Sequence, residues 1–273
     1  MKHELLDKYY VKDRLPHIWC PGCGHGVATS AIVEAIDNLK LDPEKVIIVS
    51  GIGCSSRAPG YLKFDTLHTT HGRALAFATG IKMANPELKL VVISGDGDAS
   101  AIGGNHLIHA ARRNIGITMV VFNNNIYGMT GGQYSPTTPK GAKATTAPYG
   151  NLDRSFDLCA LAGAAGATYT ARSTVYHEKQ LVKYIENGLK NDGFSLIEAM
   201  SVCPTQFGRK NKMGSPVAMF DYLKNNTVTV EAAKKLSPEE MEGKIVTGEF
   251  KNSPEIEYSA QYMQLIQRLQ ERA

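Results

Sequence analysis

No apolar stretch of the 273-residue chain approaches the roughly 20 residues that cross a bilayer; runs such as Val46-Ile47-Ile48-Val49 and Leu90-Val91-Val92-Ile93 stop after four. Residues 1–10 carry no apolar core of the kind a secretory signal needs, so a soluble, cytoplasmic protein with no membrane partner is expected. Charge of one sign is not in excess. Thirty Lys and Arg against 26 Asp and Glu leave a net charge of +4 with no dominant basic block, so nucleic acid is not an expected partner. Cysteine is scarce, at five residues, and in a reducing compartment these are expected as buried thiols or metal ligands rather than disulfides. There is no internal repeat and no low-complexity tract.

What is present is a globular composition, 43% apolar and 21% charged, in a chain long enough for one large domain or two small ones. Short β-branched runs at 46–53, 88–97, 117–125 and 194–202 are almost continuously apolar, as strands buried on both faces of a parallel sheet are. Helical patterns lie at about 25–40, 72–84, 104–113 and 174–190, with a terminal one at 256–272. Strand and helix in alternation predict a doubly wound, mostly parallel α/β sheet. In such sheets ligands bind beyond the carboxyl ends of the strands, which is where the chemically suggestive residues fall. Residues 204–255 have little periodicity and carry Arg209-Lys210-Asn211-Lys212; they are expected as loops and short helices that cover the core.

The most specific local feature is Gly95-Asp96-Gly97-Asp98, followed one strand later by Asn123-Asn124-Asn125-Ile126-Tyr127-Gly128. Alone, the first is a tight turn and the second a polar loop. At two successive strand ends they describe a metal and diphosphate site. Flanking glycines let the backbone approach an anion, and Asp96, the Asn124 side chain and the Ile126 carbonyl are oxygen donors of the kind Mg2+ shares with phosphates.

The cysteines form a second constellation. Trp19-Cys20-Pro21-Gly22-Cys23 is a C-x-x-C turn before a helix; Cys54 and Cys203 each follow a strand, and Cys159 sits in an apolar helical stretch that reads as core. Cys20, Cys23, Cys54 and Cys203 suit a structural zinc or a [4Fe-4S] cluster. Spacing alone leaves cluster, zinc and buried thiols equally open, and a thioredoxin-like pair lacks its preceding strand.

GDG followed by NN resembles the signature of thiamine-diphosphate enzymes, and the continuation Tyr127-Gly128-Met129-Thr130-Gly131-Gly132-Gln133 resembles that of 2-oxoacid:ferredoxin oxidoreductases. With WCPGCGHG near the start, GIGCSS after the first strand and a late Cys-Pro, the chain is similar to the β subunits of that family over most of residues 15–140, more weakly after about 205. The resemblance implies a diphosphate-domain type thiamine-binding fold, with residues 1–204 as the binding domain and 205–273 as a covering segment of the same domain. It implies Asp96, Asn124 and Ile126 as Mg2+ ligands, and Cys20, Cys23, Cys54 and Cys203 as [4Fe-4S] ligands, Cys203 from its position alone. Ile52, Gly53, Cys54, Ser55, His71, Gly97, Asp98, Gly128 and Met129 are then expected around thiamine diphosphate.

The implied activity is oxidative decarboxylation of a 2-oxoacid with coenzyme A, electrons passing to ferredoxin. Arg57 and the segment Thr66-Leu67-His68-Thr69-Thr70 resemble the 2-oxoglutarate-type members, and Arg57 is placed to pair with a distal carboxylate. The competing readings are a pyruvate or branched-chain enzyme, a non-redox thiamine-dependent decarboxylase subunit, and a zinc-stabilised binding module. Length carries one more implication. Family members take the glutamate that activates thiamine from a separate pyrimidine-binding domain, for which there is no room here, so an α subunit and further small subunits are expected partners. The basic cluster at 209–212 is a candidate dock for an acidic ferredoxin.

Overall fold

The computed structural model describes residues 3–272. Eight strands, β1 (Val46–Ser50), β2 (Asp65–His68), β3 (Lys89–Gly95), β4 (Ile117–Asn123), β5 (Tyr169–Thr174), β6 (Ser195–Met200), β7 (Thr227–Thr229) and β8 (Ile245–Asn252), form one sheet in the order β2-β1-β3-β4-β6-β5-β8-β7. From β2 to β5 every pairing is parallel; β8 runs antiparallel to β5 and pairs in parallel with β7. The doubly wound, mostly parallel sheet is therefore as expected.

The helices are α1 (His3–Tyr9), α2 (His25–Asn38), α3 (Ala74–Ala84), α4 (Gly104–Arg112), α5 (Leu158–Ala165), α6 (Glu178–Lys190), α7 (Pro216–Asn225), α8 (Val230–Ala233) and α9 (Tyr258–Gln270). Apolar residues of α1, α2 and α6 pack on one face of the sheet with Val91, Ile93, Val120, Phe122 and Ile197. Those of α3, α4 and α5 pack on the other with Val49, Leu90, Val92, Met119 and Val121. Alternate residues of β3 and β4 thus serve opposite cores, which is why those runs read as continuously apolar. No helix of the described residues is long and apolar enough to cross a membrane.

The chain differs from expectation at the far edge of the sheet. Residues 169–174 are a strand, though Tyr169-Thr170-Ala171-Arg172-Ser173-Thr174 reads as polar; all six are buried, with the Arg172 charge matched by Glu198 at 2.6 Å. The covering segment also contributes more than loops and short helices, because β7 and β8 extend the sheet beyond β5. Strand order reverses between β1 and β3, the first running on to β2 at one edge and the second to β4 at the other, so a crevice opens past their carboxyl ends. The loops GIGCSS and GDGD leave from there.

Candidate functional site

A buried carboxylate ties the two loops together. Asp98 Oδ1 accepts from the Gly72 amide at 2.7 Å, the Ile52 amide at 3.2 Å and His71 Nδ1, while Oδ2 accepts from Ser94 Oγ at 2.5 Å. Its oxygens are therefore committed to protein donors, and Asp98 shapes the crevice wall rather than offering a free ligand. The close approach requires Gly51, where a Cβ would lie 2.1 Å from Asp98 Oδ2. Gly97 is needed for the same reason: a Cβ there would stand 2.4 Å from the Tyr127 ring, whose hydroxyl donates to the Gly97 carbonyl at 3.0 Å.

Asp96 is 2% exposed and accepts at Oδ2 from Ser135 Oγ at 2.5 Å and Thr137 Oγ1 at 2.8 Å. Burial raises its pKa to about 6, opposed by the two hydroxyls and the Asn124 amide. A buried carboxylate held back from ionising is a natural partner for a hard cation. The adjoining loop is shaped by its own asparagines. Asn123 Oδ1 accepts from the Asn125 amide at 2.9 Å, Asn124 Oδ1 from the Ile126 amide at 3.3 Å, and Asn125 takes φ +61°, a left-handed conformation that asparagine tolerates. All the residues expected around thiamine diphosphate and Mg2+, from Ile52 and Gly53 through His71 to Gly128 and Met129, line one cavity of about 90 Å³ at this point. Complete small-molecule sites enclose roughly 300–1,000 Å³. The crevice has the dimensions of part of a site. Ser55 Oγ and His25 Nδ1, two of the buried polar atoms without a hydrogen-bond partner, belong to residues that line it.

Cys20, Cys23, Cys54 and Cys203 line a neighbouring cavity of about 240 Å³, and all are free thiols. Cys20 and Cys203 each lie 3.8 Å from Thr205 Oγ1, the Cys23 sulfur accepts from the His25 amide at 3.5 Å, and Trp19 Nε1 holds the Cys54 carbonyl at 2.7 Å. Among the described residues, no three of these sulfurs lie within 4.8 Å of one another. Burial raises Cys23 and Cys54 to about 11, the neighbouring thiols adding to it and Arg57 opposing it at Cys54. Such thiols stay protonated until a metal displaces the proton.

The two cavities share His25, Cys54, Asn124, Gly128 and Met129 as a common wall. Gly128 stands at the junction, where a Cβ would lie 3.3 Å from Cys203 Sγ and 3.6 Å from Cys54 Sγ. Arg57 lines the thiol cavity. Cys159 is apart from all of this, buried under Glu198. Asp157, Cys159 and Glu198 could by proximity hold a metal, but the Arg172 guanidinium already occupies that position, 2.6 Å from each carboxylate. Ser135 and Thr137, the partners of Asp96, escaped the sequence reading; the hydroxyl-rich Ser135-Pro136-Thr137-Thr138 after TGGQ is the signal that was there to use.

A glycine-rich crevice holding a metal-type Asp and Asn pair at the switch point of a doubly wound sheet defines a thiamine-diphosphate-binding domain, and residues 43–199 match the family described as thiamine pyrophosphate enzyme, C-terminal TPP binding domain. The chain is 58% identical over 247 residues to the 2-oxoglutarate synthase subunit KorB of Methanothermobacter marburgensis, covering 90% of this chain and 87% of that protein. It is 55% identical to the subunit of the same name from Methanocaldococcus jannaschii, covering 96% and 97%. A solved 2-oxoglutarate:ferredoxin oxidoreductase from Magnetococcus marinus, with 2-oxoglutarate, coenzyme A and succinyl-CoA bound, superposes with a TM-score of 0.86 at 33% identity over 98% of this chain and 92% of that one. The chain belongs to the KorB family of 2-oxoglutarate synthase subunits, components of a hetero-oligomeric oxidoreductase.

Proposed function

We propose that this chain is the cofactor-binding half of a cytoplasmic enzyme that converts 2-oxoglutarate and coenzyme A to succinyl-CoA and CO2, releasing electrons to ferredoxin. The observation that carries the reading is the wall common to the diphosphate crevice and the four-thiol cavity. Thiamine diphosphate supplies, when bound, the carbanion that decarboxylates a 2-oxoacid, and a [4Fe-4S] cluster supplies the acceptor for single electrons.

The chain's own residues then have separable tasks. Asp96, Asn124 and the Ile126 carbonyl would hold Mg2+, with Ser135 and Thr137 fixing Asp96. Gly97, Gly128 and Met129 let the backbone close on the diphosphate, while Ile52, Gly53, Ser55 and His71, set by Asp98, line the remainder. Cys20, Cys23, Cys54 and Cys203 would hold the cluster. Arg57 takes the distal carboxylate of a dicarboxylic substrate.

A small, open crevice supports the need for an α subunit that covers it and brings the activating glutamate. Residues 205–273 complete the same domain, and the basic turn after Cys203 offers ferredoxin a nearby docking point. Analysis of the anaerobically co-expressed complex tests the reading. The expected result is brown protein with iron, labile sulfide and thiamine diphosphate in this chain, and viologen reduction that prefers 2-oxoglutarate. Thiamine without iron, iron that follows only the partner chain, or zinc in a colourless protein would each overturn the cluster assignment. Preference for pyruvate or a branched-chain 2-oxoacid would overturn the substrate.

A further inference from the structure

Arg57, on the wall of the thiol cavity, does not stand alone. Its Nη2 lies 3.1 Å from His68 Nε2, and His68 Nδ1 lies 3.0 Å from Ser50 Oγ. A guanidinium has donors only, so His68 Nε2 accepts and its Nδ1–H donates to Ser50, which fixes one neutral tautomer. The sheet itself enforces the arrangement, because Ser50 and His68 are register partners at the carboxyl ends of β1 and β2. Partial burial and the neighbouring guanidinium both lower the His68 pKa, consistent with the accepting form. Arg57 Nε is buried with no hydrogen-bond partner.

We infer that His68 is a positioning residue that holds the Arg57 guanidinium by one nitrogen and so sets the preference for dicarboxylic over monocarboxylic 2-oxoacids. An arginine on a long flexible stem loses side-chain entropy when it grips a carboxylate, and an acceptor on the protein side makes part of that loss before substrate arrives. The hydrogen bond to His68 leaves the Nη1 hydrogens and one on Nη2 for a two-point contact with carboxylate oxygens. A second cation at this position would repel the guanidinium, and an apolar side chain would leave it free to swing. The inference rests on the reading of Arg57 as the carboxylate ligand.

The test uses the co-expressed complex and compares 2-oxoglutarate with 2-oxobutyrate. His68→Phe keeps a ring but removes the acceptor, and is expected to raise KM for 2-oxoglutarate about fivefold, the worth of one ordinary hydrogen bond, with kcat little changed. The KM for 2-oxobutyrate is expected to move less than twofold, by the same argument. His68→Gln, whose carbonyl oxygen reaches the Nε2 position, is expected to restore most of the discrimination. Combined with Arg57→Ala, His68→Phe should have no further effect on the ratio. Bound thiamine diphosphate and the visible spectrum of each variant check that the fold and cofactors are retained. If Arg57→Ala shifts the substrate ratio and His68→Phe does not, or if Gln fails to rescue, the role of His68 is overturned and that of Arg57 stands. If Arg57→Ala leaves the ratio unchanged, the reading of Arg57 fails and this inference fails with it.

Discussion

The side-chain amide of Asn123 donates to Glu198 Oε1 at 2.7 Å, joining the buried Arg172–Glu198 ion pair to the loop of the diphosphate crevice. From Asn123 the connection runs on: its Oδ1 lies 3.1 Å from Thr137 Oγ1, which is 2.8 Å from Asp96. Glu198 is 2% exposed, so its removal strands an asparagine amide and leaves the buried guanidinium only the half-exposed Asp157 as a carboxylate partner. Breaking a buried pair on one side costs about 3–5 kcal/mol. Glu198→Ala is therefore expected to lower the unfolding midpoint in urea and also to weaken Mg2+-dependent thiamine diphosphate binding, measured by fluorescence quenching. Glu198→Leu with Arg172→Met, an apolar pair of similar bulk, should recover stability and leave cofactor binding weak. Recovery of both together would mean that the pair serves the fold only.

Asp96 predicts an unusual pH dependence for the metal-free protein. The unfolded residue titrates near 4, whereas burial raises the folded one to about 6. Between those values the native state binds the extra proton, so stability falls as pH rises through the window, by up to about 3 kcal/mol. Mg2+ neutralises the carboxylate and should abolish that loss above pH 6. In chelator-treated protein, the difference in unfolding free energy between wild type and Asp96→Asn should grow steadily across the window, in favour of the variant. A flat difference would show that the hydroxyls of Ser135 and Thr137 already compensate the charge.

The same residues show what could be read from letters and what could not. Asp96 and Asn124 stood out because both follow apolar runs, and β3 and β4 end within one residue of them. The four cysteines were recognisable by their turns, yet nothing in their spacing brought the four to one cavity; that required the fold. β5 was invisible because Arg172, Ser173 and Thr174 are polar letters made buriable by hydrogen-bond partners, Glu198 foremost. His68 was legible only as part of the segment at 66–70, since its link to Arg57 exists only once β1 and β2 are in register. Long-range polar pairing leaves no periodicity, and periodicity is most of what a single sequence offers.

The cysteines give a prediction with an internal control. Cys203→Ser should remove the visible absorption and lower iron and sulfide, because serine is a poor ligand for a cluster that needs thiolates. Cys159→Ser changes another buried thiol, one that touches the Ala171 carbonyl at 3.4 Å and Glu198 at 3.7 Å, away from the four-thiol cavity. It should keep the colour and cost only stability, seen as a lower midpoint. Loss of iron in the Cys159 variant alone would reverse the assignment of ligand and core thiol.

The turn after Cys203 carries Arg209, Lys210 and Lys212, of which Arg209 and Lys212 are exposed, while Lys210 reaches Gln206 Oε1 at 2.9 Å. Only a short helical turn, Pro204–Gly208, separates them from the thiol cavity, so an acidic carrier docked on them would sit close to the electron source. Charged patches of this kind act chiefly on association rate and lose their pull when salt shortens the screening length to about 8 Å at physiological strength and 3 Å at 1 M. Lys210→Glu with Lys212→Glu should therefore slow ferredoxin reduction severalfold at low salt, with the gap closing as salt is raised. Reduction of methyl viologen, which is itself a small dication, should not slow in the variant. Equal ferredoxin kinetics at low salt would place the docking surface elsewhere, and an equal slowing with viologen would point to damage at the cluster instead of lost docking.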